Sequence, residues 1–292
     1  MIRYSFPLYR PPAEADNIII QATLGCSHNR CSFCTMYKTK RYTIRSLNEV
    51  QSEIEALAYA YPNANKVFLA DGDALALPTD HLAKLLRLLK TSFPRLSRVS
   101  LYATAQNFLE KSVDELKELR AGGLSLAYFG IETGSDALLS KIEKGVDSDQ
   151  MIEALQRAHE AGIKISATVI LGIGGIKYTG EHIRDTVKLI NAAPITYLST
   201  LQLGLDEGAK ERFLKAFDSF ILLNDLQILQ EQRELISLIN PPQKFIFRSN
   251  HASNALHLAG TLPKNRNRLL DEIDDTLKAG EGAMVPRWLR GF

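Results

Sequence analysis

Cysteine is scarce in this 292-residue chain: there are three, and all lie between positions 26 and 34. An odd number crowded into one stretch cannot build a disulfide framework, and a reducing compartment keeps such residues as thiols, available as metal ligands. A dominant charge is also lacking. Lysine and arginine number 35 against 33 acids, a formal balance of +2 that makes no case for a polyanionic partner, so nucleic acid is not indicated. No run reaches the roughly 18 apolar residues that a membrane span needs, and the N-terminal stretch MIRYSFPLYRPPAEAD has no apolar leader segment. The expectation is a cytoplasmic protein with no membrane partner. With 45% apolar residues over this length, the chain can bury a large core, in one big domain or two ordinary ones.

What is present is an alternation. NIIIQAT (17–23), KVFLAD (66–71), RVSLYAT (98–104), LSLAYFGIET (124–133), IKISATVILGIGG (163–175) and ITYLSTLQL (195–203) read as strands. Helices are predicted between them at 46–61, 79–93, 112–123, 135–145, 148–162 and 180–193. The first has Leu47, Val50, Ile54 and Leu57 at helical spacing behind a Ser46 cap with Glu49 as its reciprocal partner. Gly122, Gly123 and Gly162 sit where helices stop before strands. Strands apolar on both faces, each joined by a helix to the next, predict an α/β fold with a parallel sheet covered by helices. Six such units suit a partial (β/α)6 TIM-like barrel, although periodicity alone does not separate it from a doubly wound sheet. After residue 204 the pattern changes to helix with an internal break over 209–240, stopped by Pro241-Pro242, and a last helix at 267–280. The expected organisation is a core over 1–204 and a helical and irregular C-terminal extension over 205–292 that covers the barrel without being an independent domain. Trp288 and Phe292 are expected to dock its tail by packing.

The stretch GCSHNRCSFCTMYK (25–38) carries the chemistry. Cys26, Cys31 and Cys34 have four and then two residues between them, which lets one loop wrap three thiolates around a single centre. Three ligands are one too few for a closed structural zinc site, and His28 lies too near Cys26 to complete one. A three-thiolate iron–sulfur cluster leaves one iron open, where a substrate or cofactor can coordinate. A zinc loop stands beside this as the other reading and would make the chain a non-catalytic metal or iron–sulfur sensing module. Thr104 ends the third strand, and Ser166 and Thr168 alternate along the fifth, either facing an interior or hydrogen-bonded locally.

Over residues 17–203 the sequence resembles the radical S-adenosylmethionine (radical SAM) superfamily, in the branch of the Elongator-type and oxygen-independent coproporphyrinogen oxidase-type enzymes. That family carries a three-cysteine loop after the first strand with an aromatic residue before the last cysteine, here Phe33. The family spacing is three then two, whereas this loop is C-x4-C-x2-C. LADGDAL (69–75) looks like the family's glycine-acid motif, whose backbone carbonyls receive the SAM amino group, with Asp71, Gly72 and Asp73 in place. YFGIETGSDALLSKIEKG (128–145) is similar to the fourth-strand segment, with Glu132 as its ribose-binding acid. VILGIGG (169–175), with Gly172, resembles the backbone that lies along the adenine.

The resemblance implies a partial barrel whose loops converge at the carboxyl ends of the strands. It implies a [4Fe-4S] cluster on Cys26, Cys31 and Cys34, and S-adenosyl-L-methionine among Phe33, Asp71, Gly72, Asp73, Thr104, Glu132, Ser166, Thr168 and Gly172. It further implies an enzyme that cleaves SAM reductively to a 5′-deoxyadenosyl radical, acts on a small-molecule substrate, and takes electrons from a donor such as flavodoxin or ferredoxin. Methyl or aminocarboxypropyl transfer from SAM at the same cluster is the alternative. With no fourth cysteine a second thiolate-bound cluster cannot be built, which argues against methylthiotransferase chemistry. FIFRSNHASNALHL (245–258) offers Arg248, Asn250, His251, Asn254 and His257 as candidates to meet a small anionic substrate, or else is a surface loop.

Overall fold

The structure, a computed structural model, describes residues 2–291. In chain order the elements are β1 (Ile18–Gln21), β2 (Thr23–Leu24), β3 (Thr43–Ile44), α1 (Leu47–Ala60), β4 (Lys66–Ala70), α2 (Thr79–Ser92), β5 (Arg98–Ala103), α3 (Ala105–Leu109), α4 (Val113–Ala121), β6 (Leu124–Glu132), α5 (Asp136–Lys141), α6 (Ser148–Glu160), β7 (Lys164–Leu171), α7 (Gly175–Ala192), β8 (Tyr197–Gln202), α8 (Glu207–Lys215), α9 (Asp225–Leu238), β9 (Phe245–Ser249), β10 (Leu258–Leu262) and α10 (Arg266–Ala279). They fall into two compact units. The first holds the chain up to Asn29, Met36–Phe129 and Gln156–Ile165; the second holds Arg30–Thr35, Gly130–Leu155 and everything from Ser166 onward.

In the first unit β1, β4, β5 and β6 pair in parallel, with Ile20 beside Leu69, Leu69 beside Leu101 and Leu101 beside Ala127. Val67 to Ala70 of β4 are all buried, so both faces of this strand are covered. That is why KVFLA is apolar throughout instead of alternating. The Ser46 side chain accepts from Glu49 N while the Glu49 carboxylate accepts from Ser46 N at 2.9 Å, and this reciprocal cap starts α1. Behind it Val50, Ile54 and Leu57 turn inward. Leu82, Leu85, Leu86 and Leu89 form the buried stripe of α2, at the i, i+3, i+4, i+7 spacing of one helix face. Buried Glu14 ties the N-terminal segment down, accepting from Tyr128 Oη at 2.6 Å and from Arg98 at 2.8 Å.

In the second unit β8 pairs in parallel with β7 and with β9, and β10 runs antiparallel to β9. β9, FIFRS, has the aromatic and β-branched residues of a strand; β10, LAGTL, has few, because alanine and glycine carry little strand preference. α7 begins at Gly175, ahead of the expected position 180, since glycines at 174, 175 and 180 mask the helical pattern there. The expected break after α8 is real, and α9 restarts behind an Asn224 cap reciprocated by Gln227. α9 packs on α7 and on α10.

Among the described residues the tail is docked by charge, and Trp288 does not pack as expected. Trp288 is 81% exposed, and Phe292 lies outside the described residues. The interaction that holds instead is Arg290, whose guanidinium donates to both oxygens of Asp225 at 2.9 and 3.1 Å, with Arg287 donating at 3.2 Å. Burial works against ionisation of Asp225, but the hydrogen bonds from Arg290 and Arg287 outweigh it and hold the carboxyl at about 2. Among the described residues no helix is long and apolar enough to cross a membrane.

Replacing Asp225 by Asn leaves the Arg290 side chain, 2% exposed, without its counter-charge. The expected loss is about 1.5–3 kcal/mol, read as a fall of several degrees in thermal melts. Because the Asp225 pKa is depressed, its stabilisation is present above pH 4 and is lost as pH falls toward 2, so the gap between wild type and Asp225→Asn closes over that window.

Candidate cluster and cofactor site

In the first unit the residues after β4 grip the start of the cysteine loop one by one. Asp71 is fully buried; its Oδ1 accepts from Gln21 Nε2 at 3.0 Å, and its Oδ2 from Gly25 N at 3.0 Å and from Lys40 Nζ at 2.8 Å. A buried carboxylate is tolerable only when paired and hydrogen-bonded, and here all three donors serve it. Gly72 donates its N–H to Gly25 O at 3.0 Å. A Cβ on Gly72 would lie 2.7 Å from Cys26 Cβ and 2.9 Å from Gly25 O, so no other residue lets the two loops lie this close. Asp73, also fully buried, accepts from Ser27 N at 2.8 Å, from Ser27 Oγ, and from Asn107 Nδ2 at 3.4 Å. Burial pushes its carboxyl up, against those hydrogen bonds. Thr104 is the N-cap of α3: its side chain accepts from Asn107 N and its own N–H donates to Asn107 Oδ1 at 2.9 Å.

The longer first cysteine interval resolves into a turn at Asn29, whose φ is 39°. Asparagine enters the left-handed region more readily than most residues. Its N–H donates to Cys26 Sγ at 3.4 Å, its Nδ2 to Tyr37 O at 2.9 Å, and its carbonyl accepts from Lys38 Nζ.

In the second unit the rest of the loop is held by other elements. Ser32 N donates to Ile142 O at 2.9 Å. The Arg212 guanidinium on α8 donates to the carbonyls of Cys31, Ser32 and Cys34, and Thr35 Oγ1 donates to Asp206, the N-cap of the same helix. Phe33 is half-buried. Glu132 ends β6 with φ 61°, a strained conformation for glutamate, and pairs with Lys144 Nζ at 2.8 Å. Gly130 makes this possible, because a Cβ there would sit 1.9 Å from Glu132 Oε1. Burial works to neutralise Lys144, but the negative charges of Glu132, Cys31 and Cys34 outweigh it and raise its pKa.

Gly172 follows β7 with φ 78°, and its N–H donates to Glu231 Oε1 at 2.5 Å. Glu231 also accepts from Thr179 Oγ1. His182, fully buried, has Nδ1 2.8 Å from Thr133 Oγ1, while its Nε2 lies 3.8 Å from Glu231 Oε1 and has no hydrogen-bond partner. Burial pushes Glu231 up to about 7 and His182 down to about 4, so between about pH 4 and 7 this is a pair of uncharged groups. Ser166 and Thr168 are half-buried on the face of β7 opposite to buried Ile165, Ala167 and Val169. Asn254 is committed to the fold: its Nδ2 donates to Thr200 O at 2.7 Å and Ser249 Oγ at 2.9 Å, and its Oδ1 accepts from Gln202 N at 2.8 Å. Of its neighbours, Asn250 and His257 are exposed, Arg248 donates to Phe247 O at 2.9 Å, and His251 Nδ1 meets Ser253 Oγ at 2.8 Å.

These residues fit an iron–sulfur cluster. All three cysteines are half-exposed and none is in a disulfide. Ser32 Oγ inside the loop, and Tyr37 Oη and Tyr42 Oη beyond it, are buried without a hydrogen-bond partner. Burial first, then Asp73 and Cys26, push the Tyr42 hydroxyl up to about 12. Among the described residues no three His, Cys, Asp or Glu side chains are gathered around a single metal ion. Sequence reasoning missed Lys40, Lys144, Arg212 and Glu231. Only Lys144 had a signal, a basic residue twelve positions after Glu132 in the same quoted segment. Arg212 and Glu231 meet their partners from 181 and 59 positions away, where no spacing rule operates.

The Radical SAM superfamily model matches residues 20–190. An uncharacterized methyltransferase of Pyrococcus horikoshii is 30% identical over 194 residues, covering 63% of this chain and 39% of that protein. The heme chaperone HemW of Bacillus subtilis is 28% identical over 171 residues, covering 56% of this chain and 44% of its own. The chain thus spans about two fifths of the length of these curated relatives. Coproporphyrinogen III oxidase (HemN) from Escherichia coli, a radical SAM enzyme of known structure, superposes with a TM-score of 0.57 at 18% identity over 76% of this chain and 51% of that one. At that identity the likeness is one of fold, and the fold is the α/β partial-barrel type expected.

Two outcomes follow. Gly72→Ala forces the β4 loop off Cys26, and the expected result is a loss of about 1–3 kcal/mol in stability, together with reduced iron per chain after reconstitution. The Glu231 contribution to wild-type stability falls as pH rises from 4.5 through about 7, because the buried carboxyl must ionise in the folded state, while that of His182, held neutral down to about 4, rises from pH 4 to 6.5 and opposes it. Glu231→Gln removes that penalty, so its melting temperature relative to wild type rises between pH 5 and pH 8, by the equivalent of on the order of 3 kcal/mol.

Proposed function

The chain belongs to the radical SAM superfamily, and from that premise we propose that it is an enzyme whose [4Fe-4S] cluster is held by Cys26, Cys31 and Cys34 and whose S-adenosylmethionine is cleaved to act on a small-molecule substrate. One-electron cleavage of bound SAM to methionine and a 5′-deoxyadenosyl radical is the chemistry the two groups supply together. The chain's own residues hold and orient. Asp71, Gly72 and Asp73 fix the backbone around Cys26, and Arg212 fixes that around Cys31 and Cys34. Glu132, paired with Lys144, is the acid for the ribose hydroxyls, and the Gly172 loop lies along the base. Phe33 is the half-buried aromatic residue just before the last cysteine. Residues 205–292 extend the core of 1–204 and carry the substrate side, with Arg248 and His251 as its candidates. A cytoplasmic one-electron donor of the flavodoxin or ferredoxin kind completes the system.

The observation that carries this reading is the one-to-one grip of Asp71-Gly72-Asp73 on Gly25-Cys26-Ser27. It fixes the first thiol of a three-thiol loop without using the thiol, as an open cluster site requires. A second reading, methyl transfer from SAM, is favoured by the likeness to the uncharacterized methyltransferase of Pyrococcus horikoshii. Anaerobic reconstitution with iron and sulfide, then dithionite and SAM, is expected to give a brown protein with about four iron per chain that releases 5′-deoxyadenosine. S-adenosylhomocysteine as the nucleoside product selects methyl transfer instead. A colourless chain with one zinc and no nucleoside product overturns both readings. Cys26→Ala, Cys31→Ala or Cys34→Ala each abolishes cluster uptake, because a three-ligand site has no spare.

A further inference from the structure

We propose that Arg212 is a positioning residue for the cluster: from α8 it sets the backbone of the Cys31–Cys34 segment and places a permanent positive charge beside it. The inference rests on the cluster reading above and names a residue outside the family-matched region, 20–190. Three carbonyls in four residues, those of Cys31, Ser32 and Cys34, converge on one guanidinium, with Nε 3.4 Å from Ser32 O and Nη2 3.3 Å from Cys34 O. Three carbonyls aimed at one side are the signature of a tight loop, and a planar fork of donors suits them where a single ammonium does not.

The rest of α8 is built to hold that fork still. Asp206 caps the helix, accepting from Ala209 N at 2.8 Å, and the same carboxylate takes Thr35 Oγ1, so both ends of the segment after Cys31 meet one short helix. Phe213, next in sequence, is fully buried against Phe217 and Phe220, with ring centroids 5.0 Å away in each case. Lys141 Nζ donates to Ala216 O at 2.9 Å and lies 5.3 Å from the Phe217 ring centre, which fixes the far end. A cation held here favours the more negative, reduced form of a cluster on Cys31 and Cys34.

The test compares wild type, Arg212→Gln and Arg212→Lys after anaerobic reconstitution, with cluster-free melts to show that each folds. The readouts are the rate at which a chelator strips iron and the midpoint potential of the cluster. Loss of a residue that orients ligands costs on the order of 10-fold or more in retention. Iron is therefore expected to leave both variants at least roughly 10-fold faster than wild type. The potential is expected to fall in Arg212→Gln and to hold in Arg212→Lys, which keeps the charge and loses the fork. Wild-type retention in both variants overturns the inference, as does a potential that is unmoved in Arg212→Gln. If Arg212→Gln does not fold, retention in Arg212→Lys decides. A wild-type chain that takes up no cluster overturns the cluster reading itself, a result visible before any variant is made.

Discussion

One buried carboxylate organises the first half of the site. Asp71 joins β1 through Gln21, the cysteine loop through Gly25, and the segment returning from that loop through Lys40, all on two oxygens. Without it, three pieces of chain would lose the one side chain that all of them meet. The cost of burying the charge is met by the same donors that do the joining, so alignment and desolvation are a single event. Gly72 and Asp73 then follow at the next two positions and extend the alignment to Cys26 and Ser27.

The buried acids of the chain divide by whether a cation reaches them. Glu14, Glu53, Asp71, Glu132 and Asp225 are each less than 10% exposed and each meets a lysine or arginine. Asp73 and Glu231 are as deeply buried and meet neither among the described residues, and both carboxyls are pushed up. Desolvation favours the neutral acid unless an opposite charge stands within a few ångströms. The two unpaired acids both grip backbone N–H groups at loops after strands, Asp73 at Ser27 and Glu231 at Gly172. They hold the loops by hydrogen bonding alone, with no lysine or arginine beside them to offset the burial.

Most of the α/β frame was legible in the sequence, because apolar runs bounded by caps and glycines follow from local physics. The Ser46–Glu49 cap and the stops at Gly122 and Gly123 are such cases, and the helices they bound lie within a residue or two of where the pattern put them. α3 and β10 were missed, the first for its length and the second for its lack of side chains that mark a strand. The tail was misjudged for a related reason. An aromatic residue looks like an anchor in sequence, whereas the Arg290–Asp225 pair spans 65 positions and has no local sign. In the site, the cysteines and the Asp71-Gly72-Asp73 and Glu132 motifs were visible as residue types in order. What those acids do, gripping the loop and pairing with Lys40 or Lys144, depends on which donors the fold delivers.

The two halves of the cysteine loop are finished at very different points along the chain. Gly25 and Ser27 find their anchors 46 residues later, but Cys31 and Thr35 find theirs 181 and 171 residues later. At synthesis rates of about 5–20 residues per second, on the order of ten seconds separates the two events. Within that interval Ile142 reaches Ser32 first, and the carbonyls of Cys31, Ser32 and Cys34 meet Arg212 last. The backbone hydrogen bonds of the loop are therefore complete only once α8 has been made, so the last part of this segment to be fixed depends on the C-terminal part of the chain.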